Sequence, residues 1–212
     1  VDVAPLGPDY LLAHAHADSL SYEFSYKNQR IVVNSGTSLY KNGNKRDFER
    51  GTASHSTLEI ESENSSEVWH SFRVAKRARV FDISITNQNK NIEISAKHDG
   101  YMRLKRGAIH SRKWIVNKKS LEIIDSIDGR FSKAVSRHYI HPDISISDSN
   151  KDRVITLNKS DSIFWDTKSD LVNLKSSEWY PEFGIAIKNK CLNININPDT
   201  KNTECNIRFT LN

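Results

Sequence analysis

The residues best placed to do chemistry lie in one short segment, Ala13-His14-Ala15-His16-Ala17-Asp18. In an extended chain alternate side chains share a face, so this spacing predicts His14, His16 and Asp18 on one side and three alanines on the other. Small residues on the back face would let such a strand pack closely. Each imidazole carries a nitrogen that needs a partner, so two of them are hard to bury unpaired. A metal ion, an anionic ligand or a carboxylate would serve. Two solvent-touching strand histidines are the bland alternative.

The elements that must position these residues read as short β-rich runs. They are Leu20 to Tyr26, Arg30 to Asn34, Ser56 to Glu61, Phe72 to Ile85 (with a break near Phe81-Asp82) and Asn91 to Lys97. Arg112 to Val116 and Leu121 to Ile127 face each other across Asn117-Lys118-Lys119 as a hairpin. Ala134 to Ile140, Ile144 to Ser147, Val154 to Leu157, Ile163 to Thr167, Leu171 to Leu174, Gly184 to Ile187, Leu192 to Ile196 and Asn206 to Leu211 complete the series. Turn chemistry separates them, as at Asn42-Gly43-Asn44 and Asp128-Gly129. No long stretch keeps a capped 3.6-residue period. The pattern therefore predicts an all-β chain with very little helix, two large antiparallel sheets packed as a sandwich, and one domain over residues 1–212.

Composition bounds what such a chain does. With 37% hydrophobic and 27% charged residues, it is ordinary globular material. No apolar run approaches the roughly 20 residues of a membrane span, so no membrane partner is expected. The start at Val1, without Met or leader, reads as a fragment or processed product. A net charge of +5 favours polyanions, but the basic residues are scattered and form no nucleic-acid motif. Cys191 and Cys205 flank Asn197-Pro198-Asp199-Thr200 in what reads as a terminal hairpin. There they are cross-strand disulfide partners in an oxidising compartment, or two small apolar residues in a reducing one.

Two metalloenzyme contexts for His-x-His-x-Asp fail. Metallo-β-lactamase-like hydrolases need a further His where Ser19 stands, and amidohydrolases need a β/α barrel. A third context fits. Gly7-Pro8-Asp9-Tyr10 precedes the histidine segment, and Ile31-Val32-Val33-Asn34-Ser35-Gly36-Thr37, Tyr40 and Arg50-Gly51-Thr52-Ala53-Ser54-His55 follow it. This succession resembles the C-terminal region of heparinase II/III-like polysaccharide lyases, and His98-Asp99-Gly100-Tyr101 and Trp179-Tyr180-Pro181 agree with it.

The resemblance implies a supersandwich-like fold that follows an N-terminal α/α toroid lacking here. It implies zinc held by His16, Asn34 and His55, although the family usually has Asp where this chain has Asn34. A neutral amide is the poorer ligand, so metal binding is expected to be weakened, with Asp18 as a substitute donor. His14 is placed in a catalytic cleft and Tyr40 is a candidate proton donor. Arg50, Trp179 and Tyr180 are candidate sugar contacts. His70, His98, His110, His138 and His141 are predicted to be surface or hydrogen-bonded core groups, and the tryptophans other than Trp179 core residues.

The implied reaction is β-elimination on an acidic, uronate-containing polysaccharide, met in the periplasm or outside the cell. The principal Tyr and Asn of the family come from the toroid, so the chain alone is expected to supply one wall of a cleft. A non-catalytic glycan-binding or structural sandwich with a degenerate metal site is the alternative. A nucleic-acid-binding protein rests on charge alone.

Overall fold

Most β-branched and aromatic runs form strands in the computed structural model, which describes residues 1–88, 90–148, 153–157, 161–169, 171–196, 198 and 203–211. In chain order these are β1 (Phe24–Tyr26), β2 (Gln29–Val33), β3 (Leu58–Ile60), β4 (Val68–Trp69), β5 (Arg73–Val74), β6 (Val80–Gln88), β7 (Asn91–His98) and β8 (Ala108–Val116). They continue as β9 (Ser120–Gly129), β10 (Ala134–Ile140), β11 (Ser145–Ile146), β12 (Val154–Thr156), β13 (Ser162–Asp166), β14 (Val172–Trp179), β15 (Ile187–Ile196) and β16 (Glu204–Thr210). One seven-residue helix, α1 (Asn44–Arg50), stands between β2 and β3.

One antiparallel sheet runs β1-β2-β10-β15-β14, with β3 also pairing β10. The other runs β11-β12-β13-β16-β9-β8-β7-β6. Ile31, Leu58, Ile140 and Leu192 of the first sheet share a buried core with Trp114, Ile123, Trp165 and Phe209 of the second. That is the two-sheet sandwich expected. The hairpin predicted across Asn117 is present, its amide oxygen accepting from the Lys119 and Ser120 backbone N–H groups.

Several expectations need correction. The histidine segment is not a strand; a turn closes it, with Ala15 N–H donating to Leu12 O at 3.1 Å. Gly184 to Ile187 is largely exposed loop before β15. The break predicted near Phe81-Asp82 is a register shift within β6 rather than its end, and Asp82 takes φ 52° there. Cys191 and Cys205 do not share a hairpin. Cys191 lies on β15 in the first sheet and Cys205 on β16 in the second, and both thiols are free and buried. Most of the turn Asn197-Pro198-Asp199-Thr200 lies outside the described residues.

A buried polar network joins the sheets. On β8 and β9 the inward positions include His110, Arg112 and Asp125 as well as Trp114 and Ile123, and Arg112 stands directly opposite Asp125. Asp125 receives Arg112 Nε and NH2 at 2.6 and 2.7 Å, His110 Nε2 at 2.7 Å and Ser136 Oγ at 2.6 Å. Gly100 N–H, His98 and His110 form one donor chain ending on it. Tyr22, His138 and Ser136 form a second. Burial alone would raise the Asp125 carboxyl, but Arg112 and these hydrogen bonds hold it far below the usual carboxylate range. Arg112 NH1 also donates to Leu20 O at 2.9 Å and Ser56 O at 2.7 Å, four residues after His16 and one after His55.

Burial keeps His98, His110 and His138 neutral, and pushes His138 down to about 3. These rings take a proton near 6.5 once unfolded, so the unfolded chain is protonated first as pH falls. Their stabilisation is complete above that pH and is lost as pH falls below it, for His138 progressively toward about 3. The melting temperature is therefore expected to drop steeply through this window. A value flat from about pH 7 to about pH 4 would rule this out.

Candidate functional site

Three short segments meet at one end of the first sheet, and each is held by backbone chemistry. The turn carrying His14 and His16 is pinned to the end of α1, where Arg50 Nε donates to Ala15 O at 3.0 Å and Ala17 N–H donates to Arg50 O at 2.8 Å. Thr52 Oγ1 adds a bond to Ala17 O at 2.6 Å. The loop leaving β2 is fixed by Asn34 N–H to the Glu23 carboxylate and by Tyr180 N–H to Ser35 O at 2.7 Å. His55 follows a short 3₁₀ turn (Thr52–Ser54) after α1.

These segments frame an open cleft of about 520 Å³, lined by His14, His16, Asp18, Asn34, His55 and Trp179 among others. His14 is exposed at its lip, its ring centroid 5.2 Å from that of Tyr40 and 5.8 Å from that of Phe72. Tyr40 also packs against Phe183 and lies over the Arg46 guanidinium. Burial pushes Asp18 up to about 6, so this cleft carboxyl exchanges protons near neutrality.

His16, Asn34 and His55 do come together, as a chain rather than a triangle. His16 Nδ1 lies 3.3 Å from His55 Nε2, and His55 Nδ1 lies 2.8 Å from Asn34 Oδ1. Beyond His16, its Nε2 faces Thr37 Oγ1 at 3.3 Å and Arg46 NH1 at 3.4 Å. Burial, followed by His55, Arg46, Arg50 and His14, pushes His16 down to about 2. Burial pushes His55 down to about 3.

A structural zinc gathers ligand atoms around one point. Here His55 stands between its neighbours and turns a different ring nitrogen to each, so the three do not face a common centre. Among the described residues no group of three or more His, Cys, Asp or Glu side chains is arranged to hold a metal. The donor set does not fit the zinc that the resemblance implies.

The candidate sugar contacts separate. Arg50 is fully buried, and its guanidinium donates to Ala15, Trp69 and Arg73 carbonyls, so it braces loops and cannot meet a glycan. Trp179 and Tyr180 line the cleft but show little surface. Trp179 packs on His141 and under Arg30, while the Tyr180 hydroxyl donates to Glu178. They end β14 and fasten the Asn34 loop. Sequence reasoning missed Arg30, an exposed cation on the cleft wall, and Arg46, buried beneath it. Neither belongs to a motif quoted above. Their signal is position alone, in β2 and on the inward face of α1.

Comparison with known proteins agrees with the two-sheet fold. The chain is similar in structure to a mutant of the heparan sulfate lyase HepC from Pedobacter heparinus, at TM-score 0.73 and 17% identity, over 98% of this chain and 32% of that one. Unmutated HepC from the same organism gives 0.72 and 16%, over 93% and 31%. Heparinase III gives 0.72 and 15%, over 97% and 32%. The chain thus spans about a third of the length of these solved structures. No curated protein matches its sequence. The sequence profile described as Heparinase II/III-like, C-terminal, matches residues 1–210, and the chain belongs to that family.

Proposed function

We propose that this chain forms one wall of the active site of a polysaccharide lyase acting on uronate-containing glycans by β-elimination. The observation that supports it most is the cleft itself, lined by the exposed His14 together with the His16–His55–Asn34 chain, with the Tyr40 ring against His14. In the reaction a base removes the proton on the carbon beside the carboxylate. That electron pair becomes a ring double bond as the bond from the next carbon to the glycosidic oxygen breaks, and the leaving oxygen takes a proton.

His14 faces solvent at the cleft and would neutralise the carboxylate or accept the proton. Arg30 stands on the same wall, ion-paired with Glu23 at 2.9 Å. Tyr40, about two-fifths exposed beside His14, would protonate the leaving oxygen. The opposite wall comes from the helical region that the family places before this domain. An acidic glycan of this kind puts the protein in the periplasm or outside the cell.

The test uses the longer protein including that helical region, with heparan sulfate and other uronate polysaccharides, and follows the ultraviolet absorbance of the unsaturated product. His14→Ala and Tyr40→Phe are each expected to reduce the rate by about 10²-fold or more without lowering the melting temperature. Glycan binding without product from the unmutated protein would favour the non-catalytic reading. Full activity from residues 1–212 alone would overturn the one-wall assignment.

A further inference from the structure

The hydrogen bonds around His16 run in a single direction. A guanidinium only donates, so Arg46 NH1, 3.4 Å from His16 Nε2, requires that nitrogen to accept. The His16 proton then sits on Nδ1 and points at His55 Nε2, 3.3 Å away, which must also accept. The His55 proton is therefore on Nδ1 and is donated to Asn34 Oδ1 at 2.8 Å, the carbonyl end of the amide. Thr37 Oγ1, held by Arg46 NH1 at 3.2 Å, closes the first link. Every ring nitrogen has a partner and no ion is required. Reversing the chain sets the Arg46 donor against a His16 N–H.

We propose that Arg46 and Asn34 do the work of a metal at this site. The buried cation orients the chain from one end and the neutral amide ends it at the other. Both imidazoles are locked as neutral Nδ1–H tautomers, and the His14–His16 turn, the Asn34–Thr37 loop and the α1–His55 segment are tied together. Arg46 is a positioning residue for His16, and through the turn for His14. An aspartate at position 34 would end the chain on a charge, whereas Asn34 ends it on a neutral acceptor. This inference goes beyond the lyase reading and involves no substrate, so either can fail without the other.

The test has two readouts, zinc content after exposure to excess zinc and dialysis, and proton–nitrogen correlation spectra of the histidine rings. The expected result is no stoichiometric zinc, a melting temperature unmoved by chelator, and both rings protonated at Nδ1 with bare Nε2. Arg46→Met is expected to convert His16 wholly or partly to its Nε2–H form, and Arg46→Lys, which keeps a donor, to restore the first pattern. One zinc per chain that shifts both ring signals, or His16 carrying its proton on Nε2 in the unmutated protein, would overturn the proposal. If Arg46→Met fails to fold, the unmutated protein decides the matter alone.

Discussion

Asp125→Asn is expected to destabilise the chain by about 3–5 kcal/mol, because breaking one side of a buried ion pair leaves the other charge uncompensated. Arg112 is fully buried, with Asp125 opposite it across β8 and β9. The amide removes the countercharge and turns an N–H toward the donors of Arg112, His110 or Ser136. Replacing both charges, as in Arg112→Met with Asp125→Leu, is not expected to rescue the fold. It strands the His110 and Ser136 donors and the carbonyls of Leu20 and Ser56. Urea denaturation measures the loss. A change below about 1 kcal/mol, the range of an exposed pair, would mean that the network is not under strain when broken. In the double replacement the damage also reaches the cleft, since the two stranded carbonyls adjoin the segments of His16 and His55.

Gly36→Ala should be the most damaging small substitution near the cleft. Gly36 takes φ +84°, and an added Cβ would stand 2.1 Å from the Tyr180 carbonyl oxygen. The conformation alone costs about 1–3 kcal/mol for a side-chain-bearing residue, and the collision with backbone comes on top. The Gly36–Tyr180 bridge must then open, releasing the loop that carries Asn34 and Thr37. Gly184→Ala is the control, since Gly184 has φ +80° but nothing within 4 Å of its Cβ position. Comparison of the two melting temperatures isolates the collision. Equal losses would show that the close approach to Tyr180 carries no weight.

What the sequence disclosed depended on how each residue is used. Ala134 to Ile140 was read to the residue, because its side chains are what a central strand buries. The β8–β9 hairpin was read through its alternation and its Asn117 turn, yet its length was underestimated because His110, Arg112 and Asp125 face inward where apolar residues are expected. Helix α1 was missed for the same reason. Its buried face is Arg46, Glu49 and Arg50, an i, i+3, i+4 stripe with inverted polarity.

The alternation of His and Ala imitated a strand, but Arg50 and Thr52 capture the carbonyls of that segment and hold it as a turn. The resemblance makes Arg50 a candidate sugar contact, whereas the end of α1 buries it among loop carbonyls. The meeting of His14, His16, Asn34 and His55 was accessible only through resemblance. No local pattern announces that residues 39 positions apart touch.

The separation of Cys191 and Cys205 has a practical consequence. Each face of the sandwich carries one enclosed sulfhydryl, and burial pushes Cys191 up to about 12 and Cys205 well above its ordinary range. Neither reacts until its surroundings give way. The pair is a built-in two-channel clock for alkylating reagents, whose relative rates distinguish a molecule that opens all at once from one that peels apart layer by layer.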